Sequence, residues 1–435
     1  MPLLGGSVAV NYAIGQRILR LAAAGRQRSA RRWLAAGVAA NLGLLGWFKY
    51  ADFLLGTLAP GAAPLGIVLP LGISFFTFQQ IMFLVDSAQG ERTDSGLLPY
   101  ACFVTFFPHL IAGPIVRPRE IIPQFMARGV GIPCADNLSV GLTLFLLGLA
   151  KKLVLADGFA PLADVGFNAA AHGETLTLVE AWYAVLAYAL QIYFDFSGYS
   201  DMAIGLARML NVRFPLNFNS PYQARNISDF WQRWHITLSR FLRDYLYIPL
   251  GGSRCGAMRR TGNLMATMLL GGLWHGAGWC FVLWGGLHGL YLIIHHAARR
   301  AGVRVPGGRA LTLLAVIVAW VPFRAATLEA TLAMLRGMAG LNGLALPQMI
   351  VGAMPALAAI ATPLPVLRFL GDARTLSFPE ASALLALGWG IALLLPNVHA
   401  FSERARSLTL VGGFAFTLQA LFFAPKVAPF LYFQF

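Results

Sequence analysis

Residues 229–239 read DFWQRWHITLS, and residues 269–279 read LLGGLWHGAGW. In each stretch a histidine directly follows a tryptophan: His235 in the first and His275 in the second. The second histidine lies within a long apolar run. An ionisable side chain at membrane depth is costly, so its presence is typical of a functional site. The sequence therefore indicates a buried site built on this pair, with the rest of the chain as its scaffold.

The composition around these stretches is that of a membrane protein. The chain has 435 residues, of which 57% are hydrophobic and only 12% are charged. Soluble domains carry about twice that charged fraction. The apolar runs are about 20 residues long, as in membrane helices, rather than alternating stretches of about 10 residues, as in membrane strands. We therefore predict an all-α polytopic membrane protein.

The net charge of +15 is concentrated between the apolar runs, at residues 17–32, 254–260 and 299–309. The positive-inside rule accounts for such clusters. A second interpretation adds attraction of an anionic, phosphate-bearing donor at the cytoplasmic face. Membrane lipid is the expected partner of this charge, and nucleic acid is not. The four cysteines show no ligand spacing, so the sequence predicts neither a metal site nor disulfides.

By window length the chain has roughly ten spans, which we interpret as one transmembrane domain over residues 1–435 with its catalytic core near residues 190–295. Leu138–Leu155 is expected to end at Lys151-Lys152. Leu176–Leu210 is too long for one crossing, and we expect it to break near Gly198 into a re-entrant piece. Leu408–Phe423 is the last long run.

The stretch from Asp229 to Leu250 is amphipathic. On a continuous helix Phe230 and Trp234 would share one face, with Trp231 and His235 on the next. The stretch is too polar to cross lipid, so it is expected at the membrane surface or dipping inward. It then either contributes His235 to a site or is a plain interfacial helix whose histidine binds a backbone carbonyl.

His275 lies among glycines that allow close approach of a helix or a ligand. A neutral imidazole at that depth can accept a proton from a hydroxyl group, which is the task of a general base. The alternative is a histidine that only packs helices together. His288 lies about 20 Å further along a continuous helix, so it is a secondary candidate unless that helix breaks.

Two carboxylates, Asp195 and Asp201, also fall in apolar sequence and require partners. They are interpreted either as structural ion pairs with arginines or as groups that orient a histidine. No nucleophile-elbow, phosphate-loop or His-Glu-x-x-His pattern is present in the sequence.

Taken together, several stretches resemble the membrane-bound O-acyltransferases, and within them the alginate O-acetyltransferase type. The stretches are residues 106–117, 191–201, 230–239, 242–252, 269–279, 320–325 and 429–435. The resemblance implies a ring of roughly ten tilted helices, with re-entrant or interfacial helices, around a central tunnel. It also implies that His275 is the catalytic histidine and that His235 is its upstream polar partner.

The same resemblance implies an acyl thioester, acetyl-coenzyme A or an acyl carrier, as co-substrate on the cytoplasmic side, and no bound cofactor. The acetyl group would cross the bacterial inner membrane to separate periplasmic or membrane-anchored acetyltransferases. Trp231, Trp234, Trp274 and Trp279 would exclude water from the reaction. Asp195, Asp201 and His288 are further candidates for the tunnel lining.

Relatives of this type begin with an additional apolar span before the segment that matches Asn11-Tyr12. Either the start site of this sequence is placed late, or its first helix is missing. Three other functions remain open at this point: transfer of D-alanine to a teichoic acid, transport of an acyl donor or glycan, and a purely structural role in an assembly.

Overall fold

The computed structural model of the chain describes residues 2–90, 96–303, 305–364, 377–400, 414 and 431. They are mostly α-helical, as the composition predicts. Apart from Phe414, the run Leu408–Phe423 lies outside the described residues. The chain divides into two compact units. Unit 1 comprises Met1–Phe145, Tyr199–Asn217 and Thr237–Pro249, and unit 2 comprises Leu146–Gly198, Phe218–Ile236 and Leu250–Phe435.

Unit 1 is built from short and medium-length helices. Its α-helices are Pro2–Ala23, Gln27–Leu45, Ala51–Leu58, Ile73–Gln89, Leu97–Thr105, Pro118–Phe125, Ala135–Ala150 (to Phe145), Leu178–Met209 (from Tyr199) and most of Ile236–Phe241. Gly46–Tyr50 and Leu242–Tyr247 are π-helical, and Phe107–His109 is a 3-10 turn.

Three of these helices, Pro2–Ala23, Gln27–Leu45 and Ile73–Gln89, pack against one another. The buried amides of Asn11 and Asn41 join the first two, with Asn41 Nδ2 donating to Asn11 Oδ1 over 2.6 Å. Each amide thereby satisfies the other, as buried polar groups require.

Unit 2 contains the longer helices. Its α-helices are Asp157–Ala171, Leu178–Met209 (to Gly198), Ile227–Trp231, Ala257–His275, Trp279–Arg300, Gly308–Arg324, Leu328–Met338, Gln348–Ala353 and Phe378–Leu394. Lys151–Ala156 is π-helical, and Pro221–Gln223, Pro355–Ala359 and Val398–Ala400 are 3-10 turns. Ala345–Pro347 pairs with Thr362–Leu364 as a parallel two-stranded sheet, with Leu346 opposite Pro363.

The expected break near Gly198 is wrong, because Leu178–Met209 is one continuous helix. Gly198 instead allows its helix to pack closely against the helix that contains Gly148. A Cβ added there would lie 2.6 Å from the carbonyl oxygen of Gly148, closer than any real Cβ approaches, so only glycine fits.

The expected end at Lys151-Lys152 is also wrong. The helix continues through these lysines to give an unbroken segment Ala135–Ala171. Lys152 is buried, and its ammonium group lies 2.7 Å from Asp157 Oδ1 and 2.8 Å from Asp195 Oδ1. The charge that would stop an apolar span is therefore matched by carboxylates inside unit 2.

Two helices in the described part of the chain are long and apolar enough to cross a membrane, Ala135–Ala171 and Trp279–Arg300. Leu97–His109 and Phe378–Leu394 are shorter apolar helices. The ring of roughly ten helices stays a prediction.

The long apolar run that contains His275 is a helical hairpin, formed by Ala257–His275 and Trp279–Arg300. Its arms approach closely at glycines. A Cβ on Gly272 would collide with the carbonyl oxygen of Phe281, and a Cβ on Gly285 would collide with that of Met268. Such small residues let two helix backbones pack at short range.

Candidate active site

His235 ends a tight turn between two short helices. Asn226 caps the helix Ile227–Trp231 by accepting from the N–H of Asp229 at 3.0 Å, and the helix ends before residues 232–235. The continuous helix expected from Asp229 to Leu250 is therefore wrong. His235 has φ of +41°, a left-handed conformation that costs energy for a residue with a side chain.

Asp229 stabilises this turn through hydrogen bonds to two arginines. Its Oδ1 accepts from Arg233 Nε at 2.9 Å, and its Oδ2 accepts from the N–H of Arg225 at 3.0 Å. The N–H of Asn219 donates to the carbonyl oxygen of Arg233 at 2.9 Å. Burial alone would raise the pKa of Asp229, but the hydrogen bonds and charges from Arg225 and Arg233 outweigh it and hold that pKa below its usual range. The carboxylate is thus charged at neutral pH.

His275 is the last residue of the helix Ala257–His275. The backbone leaves the helical conformation at Gly276, where a Cβ would collide with the ring of Phe281. The hairpin turn therefore depends on glycine directly beside the histidine, and it fixes His275 at a helix end.

The two histidines meet in one buried compartment of unit 2. Their ring centroids lie 6.5 Å apart, and His235 and His275 are 0% and 6% exposed. Trp274 lies between 5 and 7 Å from both, at 5.0 Å from His275 and 6.3 Å from His235. The two imidazoles that the sequence singled out can thus act on the same small group.

Further aromatic rings surround each histidine. Phe196 meets the His235 ring edge-to-face at 4.7 Å. Trp284 and Phe323 meet the His275 ring edge-to-face at 5.1 and 5.2 Å. Such walls exclude water and lower the local dielectric, which strengthens every polar interaction inside.

His288 belongs to the same compartment because the helix breaks after His275. Its ring lies 4.9 Å from Trp284 and 5.1 Å from Trp231. It is fully buried, and neither ring nitrogen has a hydrogen-bond partner among the described residues. The indole N–H groups of Trp231 and Trp284 are also buried without partners there. Unpaired buried polar groups are costly, and these form a polar patch among the aromatic rings.

The remaining predicted residues fall in different places. Trp234 packs among buried rings, 4.8 Å from Trp320, whereas Trp279 is 52% exposed. Asp195 pairs with Lys152 and also accepts from the N–H of Leu431 at 3.1 Å. Asp201 is buried in unit 1.

Sequence reasoning missed Trp284 as a site residue, and it reached Trp320 and Phe323 only as part of a matching stretch. One signal could have found Trp284. It precedes His288 by one helical turn, so the two side chains share a helix face. In the described residues no group of three His, Cys, Asp or Glu side chains is placed to hold a metal ion.

Known proteins match this chain over most of its length. Residues 37–309 match the profile of MBOAT, the membrane-bound O-acyltransferase family. A peptidoglycan O-acetyltransferase of Helicobacter pylori is 45% identical over 80% of this chain and 71% of its own length. A probable alginate O-acetylase, AlgI, of Pseudomonas aeruginosa is 45% identical over 75% of this chain and 64% of its own length.

A teichoic acid D-alanyltransferase of Bacillus subtilis is more distant, at 26% identity over 60% of this chain and 68% of its own length. The chain thus spans about two thirds of the length of the curated relatives it matches, between 64% and 71% for these three.

Proposed function

This chain belongs to the membrane-bound O-acyltransferase family, and from that premise we propose that it passes an acetyl group from a cytoplasmic thioester across the bacterial inner membrane for O-acetylation of an exported polysaccharide. That it is an acyltransferase follows from the family, as the motifs predicted. The observation that carries the proposal is the pair His235 and His275, 6.5 Å apart among buried aromatic rings.

The reaction assigned to the pair is acyl transfer from sulfur to oxygen. The acceptor hydroxyl oxygen attacks the thioester carbonyl carbon while His275 takes the hydroxyl proton as general base. His235 polarises the carbonyl and stabilises the oxyanion that forms. The C–S bond then breaks, and the thiolate recovers the proton from the His275 imidazolium. The products are an ester and a free thiol.

The compartment suits this reaction because it is buried and lined with aromatic side chains. Trp231, Trp274 and Trp284 separate the reacting atoms from water, so the acyl group reaches the acceptor rather than being hydrolysed. The unpaired N–H groups of Trp231 and Trp284, together with His288, offer hydrogen bonds to oxygen atoms of the acyl group or the acceptor.

An acetyl group is preferred to D-alanine because the O-acetyltransferase relatives are 45% identical and the D-alanyltransferase is 26% identical. Periplasmic or membrane-anchored proteins that complete the transfer to the polysaccharide are part of the proposal, as is a donor of the coenzyme A or acyl-carrier type. Family membership gives no support to the transporter or the purely structural alternative.

The test replaces His275 by alanine in the full-length protein and measures acetyl groups on envelope polysaccharide by mass spectrometry. We expect acetylation to be lost while the protein still accumulates in the membrane. His172→Ala is the matched control, because that histidine is exposed at the end of the helix Asp157–Ala171. Normal acetylation in His275→Ala would overturn the assignment.

A reconstituted assay with acetyl and D-alanyl thioesters decides between the two acyl groups. Transfer of acetyl alone is the expected result. Transfer of D-alanine without acetyl would change the acyl group assigned to the donor. It would not change the roles assigned to the histidine pair.

A further inference from the structure

A pocket of about 490 Å³ lies in unit 2, separate from the ring-lined compartment of the histidines. It is bounded by the segment from Tyr222 to Arg233, by the start of the helix Gly308–Arg324 and by Leu393 near the end of the helix Phe378–Leu394. Three guanidinium groups line it, those of Arg225, Arg233 and Arg309.

The charges around this pocket are unbalanced. Asp229 is the one carboxylate that the described residues pair with these arginines, at 3.3 Å from Arg225 Nε and 2.9 Å from Arg233 Nε. Arg309 has no ion-pair partner in the described part of the chain. One carboxylate for three guanidinium groups leaves an excess of positive charge facing the cavity.

The pocket also has an apolar wall. Leu313 and Leu393 line it beside Tyr222. The hydroxyl group of Tyr222 is already committed, since it donates to the carbonyl oxygen of Ala189 at 2.5 Å. The ring of Tyr222 therefore contributes carbon surface. A ligand that fits both walls has an anionic head and a less polar body.

We propose that this pocket binds a phosphate ester. Guanidinium groups recognise phosphate oxygens with paired hydrogen bonds. A phosphate would neutralise the positive charge that Asp229 does not. Two sources carry this chemistry: a coenzyme A-type molecule and an anionic phospholipid headgroup. In its coenzyme form the inference rests on the proposed function, which uses a thioester donor, whereas its lipid form does not. The site contains neither His235 nor His275.

The pocket is connected to the turn before His235 through Arg233. Arg233 lines the pocket, and its backbone carbonyl accepts the hydrogen bond that closes the turn before His235. Occupancy of the pocket thus holds Arg233, and with it the left-handed backbone of His235, in place.

The experiment measures binding of coenzyme A to the purified full-length protein by calorimetry, and retention of phosphatidylglycerol by native mass spectrometry. Arg309→Gln removes one charge without touching the Asp229 ion pairs. We expect it to weaken binding of one of the two probes by about tenfold or more. The control is Arg336→Gln, since Arg336 is an exposed arginine of unit 2 with no ion pair in the described residues.

The two sources give different results. If coenzyme A binds and pantetheine, which lacks phosphate, does not displace it, the ligand is the coenzyme. Phosphatidylglycerol that is retained by the wild type and lost in Arg309→Gln identifies the lipid. If neither probe binds the wild type, or if Arg309→Gln and Arg336→Gln bind equally, the proposal is overturned. His275→Ala should bind as the wild type does, so failure of the acyl-transfer assignment is seen separately.

Discussion

At residue scale, the left-handed backbone of His235 allows a test of whether its side chain polarises a carbonyl or transfers a proton. A left-handed conformation costs about 1–3 kcal/mol for a residue other than glycine, and asparagine tolerates it better than most residues do. His235→Asn therefore keeps the turn and retains an N–H donor, while His235→Ala removes the donor. If His235 polarises a carbonyl, the asparagine variant keeps part of the transfer activity, and the alanine variant loses about 10²–10³-fold.

The measurement is acetyl transfer in membranes containing equal amounts of each variant. Equal loss in His235→Asn and His235→Ala would contradict the polarising role and point to proton transfer by His235 instead.

The stability that Asp229 adds to the turn before His235 depends on pH, and its lowered pKa determines the direction. Its pKa is lowered in the folded protein, so its contribution to stability is complete above the pKa of the unfolded carboxyl, about 3.9, and is lost as the pH falls through the lower, folded value. Asp229→Asn should be less stable than the wild type at pH 7 by about 1–3 kcal/mol. The difference in Tm should shrink on acidification below about pH 4.

The check is thermal unfolding in detergent between neutral and acidic pH. Asp136→Asn serves as control, because Asp136 is exposed. A gap between wild type and Asp229→Asn that stays constant with pH would contradict the assignment.

At the scale of elements, the hairpin of Ala257–His275 and Trp279–Arg300 positions His275, Trp284 and His288 together. Gly285→Ala places a methyl group against the carbonyl oxygen of Met268, whereas Gly286→Ala meets only Leu269 Cδ2 at 3.6 Å. We expect Gly285→Ala to cost about 1–3 kcal/mol by forcing the arms apart. It should also lower acetyl transfer, since the rings around His275 shift with the second arm.

Gly286→Ala, one residue away, should leave both Tm and activity near the wild-type values. Thermal unfolding and acetyl transfer measured side by side check the pair. Equal behaviour of the two variants would show that arm separation does not control the site.

The elements also show what the sequence could and could not predict. The pairing of His235 with His275 was predictable in outline, because each follows a tryptophan and both lie in the stretches that carry the family resemblance. The break before His235 was not, since periodicity over residues 229–250 fits a continuous helix and the turn depends on Asp229 and on Asn219, distant in sequence. Gly276-Ala277-Gly278 could have signalled the second break, which brings His288 into the compartment.

Long-range pairing explains the other errors. Lys151-Lys152 resembles the end of a span until Asp157 and Asp195 are known to surround Lys152. Gly198 resembles a helix breaker until the backbone of Gly148 is found against it. Local patterns contain neither partner, so composition and periodicity predict the helices better than their ends.

At the scale of the whole molecule, the hairpin predicts how unit 2 is oriented in the membrane. Its arms of 19 and 22 residues measure about 28 and 33 Å, close to the thickness of a bilayer core, and the second arm, Trp279–Arg300, is also apolar enough to cross one. Both open ends are basic, with Arg259 and Arg260 in the first turn of one arm and Arg299 and Arg300 in the last turn of the other. The turn at residues 276–278 has no charge. The positive-inside rule therefore assigns the open ends to the cytoplasm and the His275 end to the opposite side of the core.

Cysteine labelling tests this orientation. In a variant whose four native cysteines are replaced by serine, Met258→Cys marks the basic end, where Met258 is 90% exposed, and Ala277→Cys marks the exposed turn. A membrane-impermeant maleimide applied to intact spheroplasts should label the Ala277→Cys protein and spare the Met258→Cys protein, which becomes reactive only in inverted vesicles. The reverse pattern would place the basic ends outside and would contradict the predicted orientation of the hairpin.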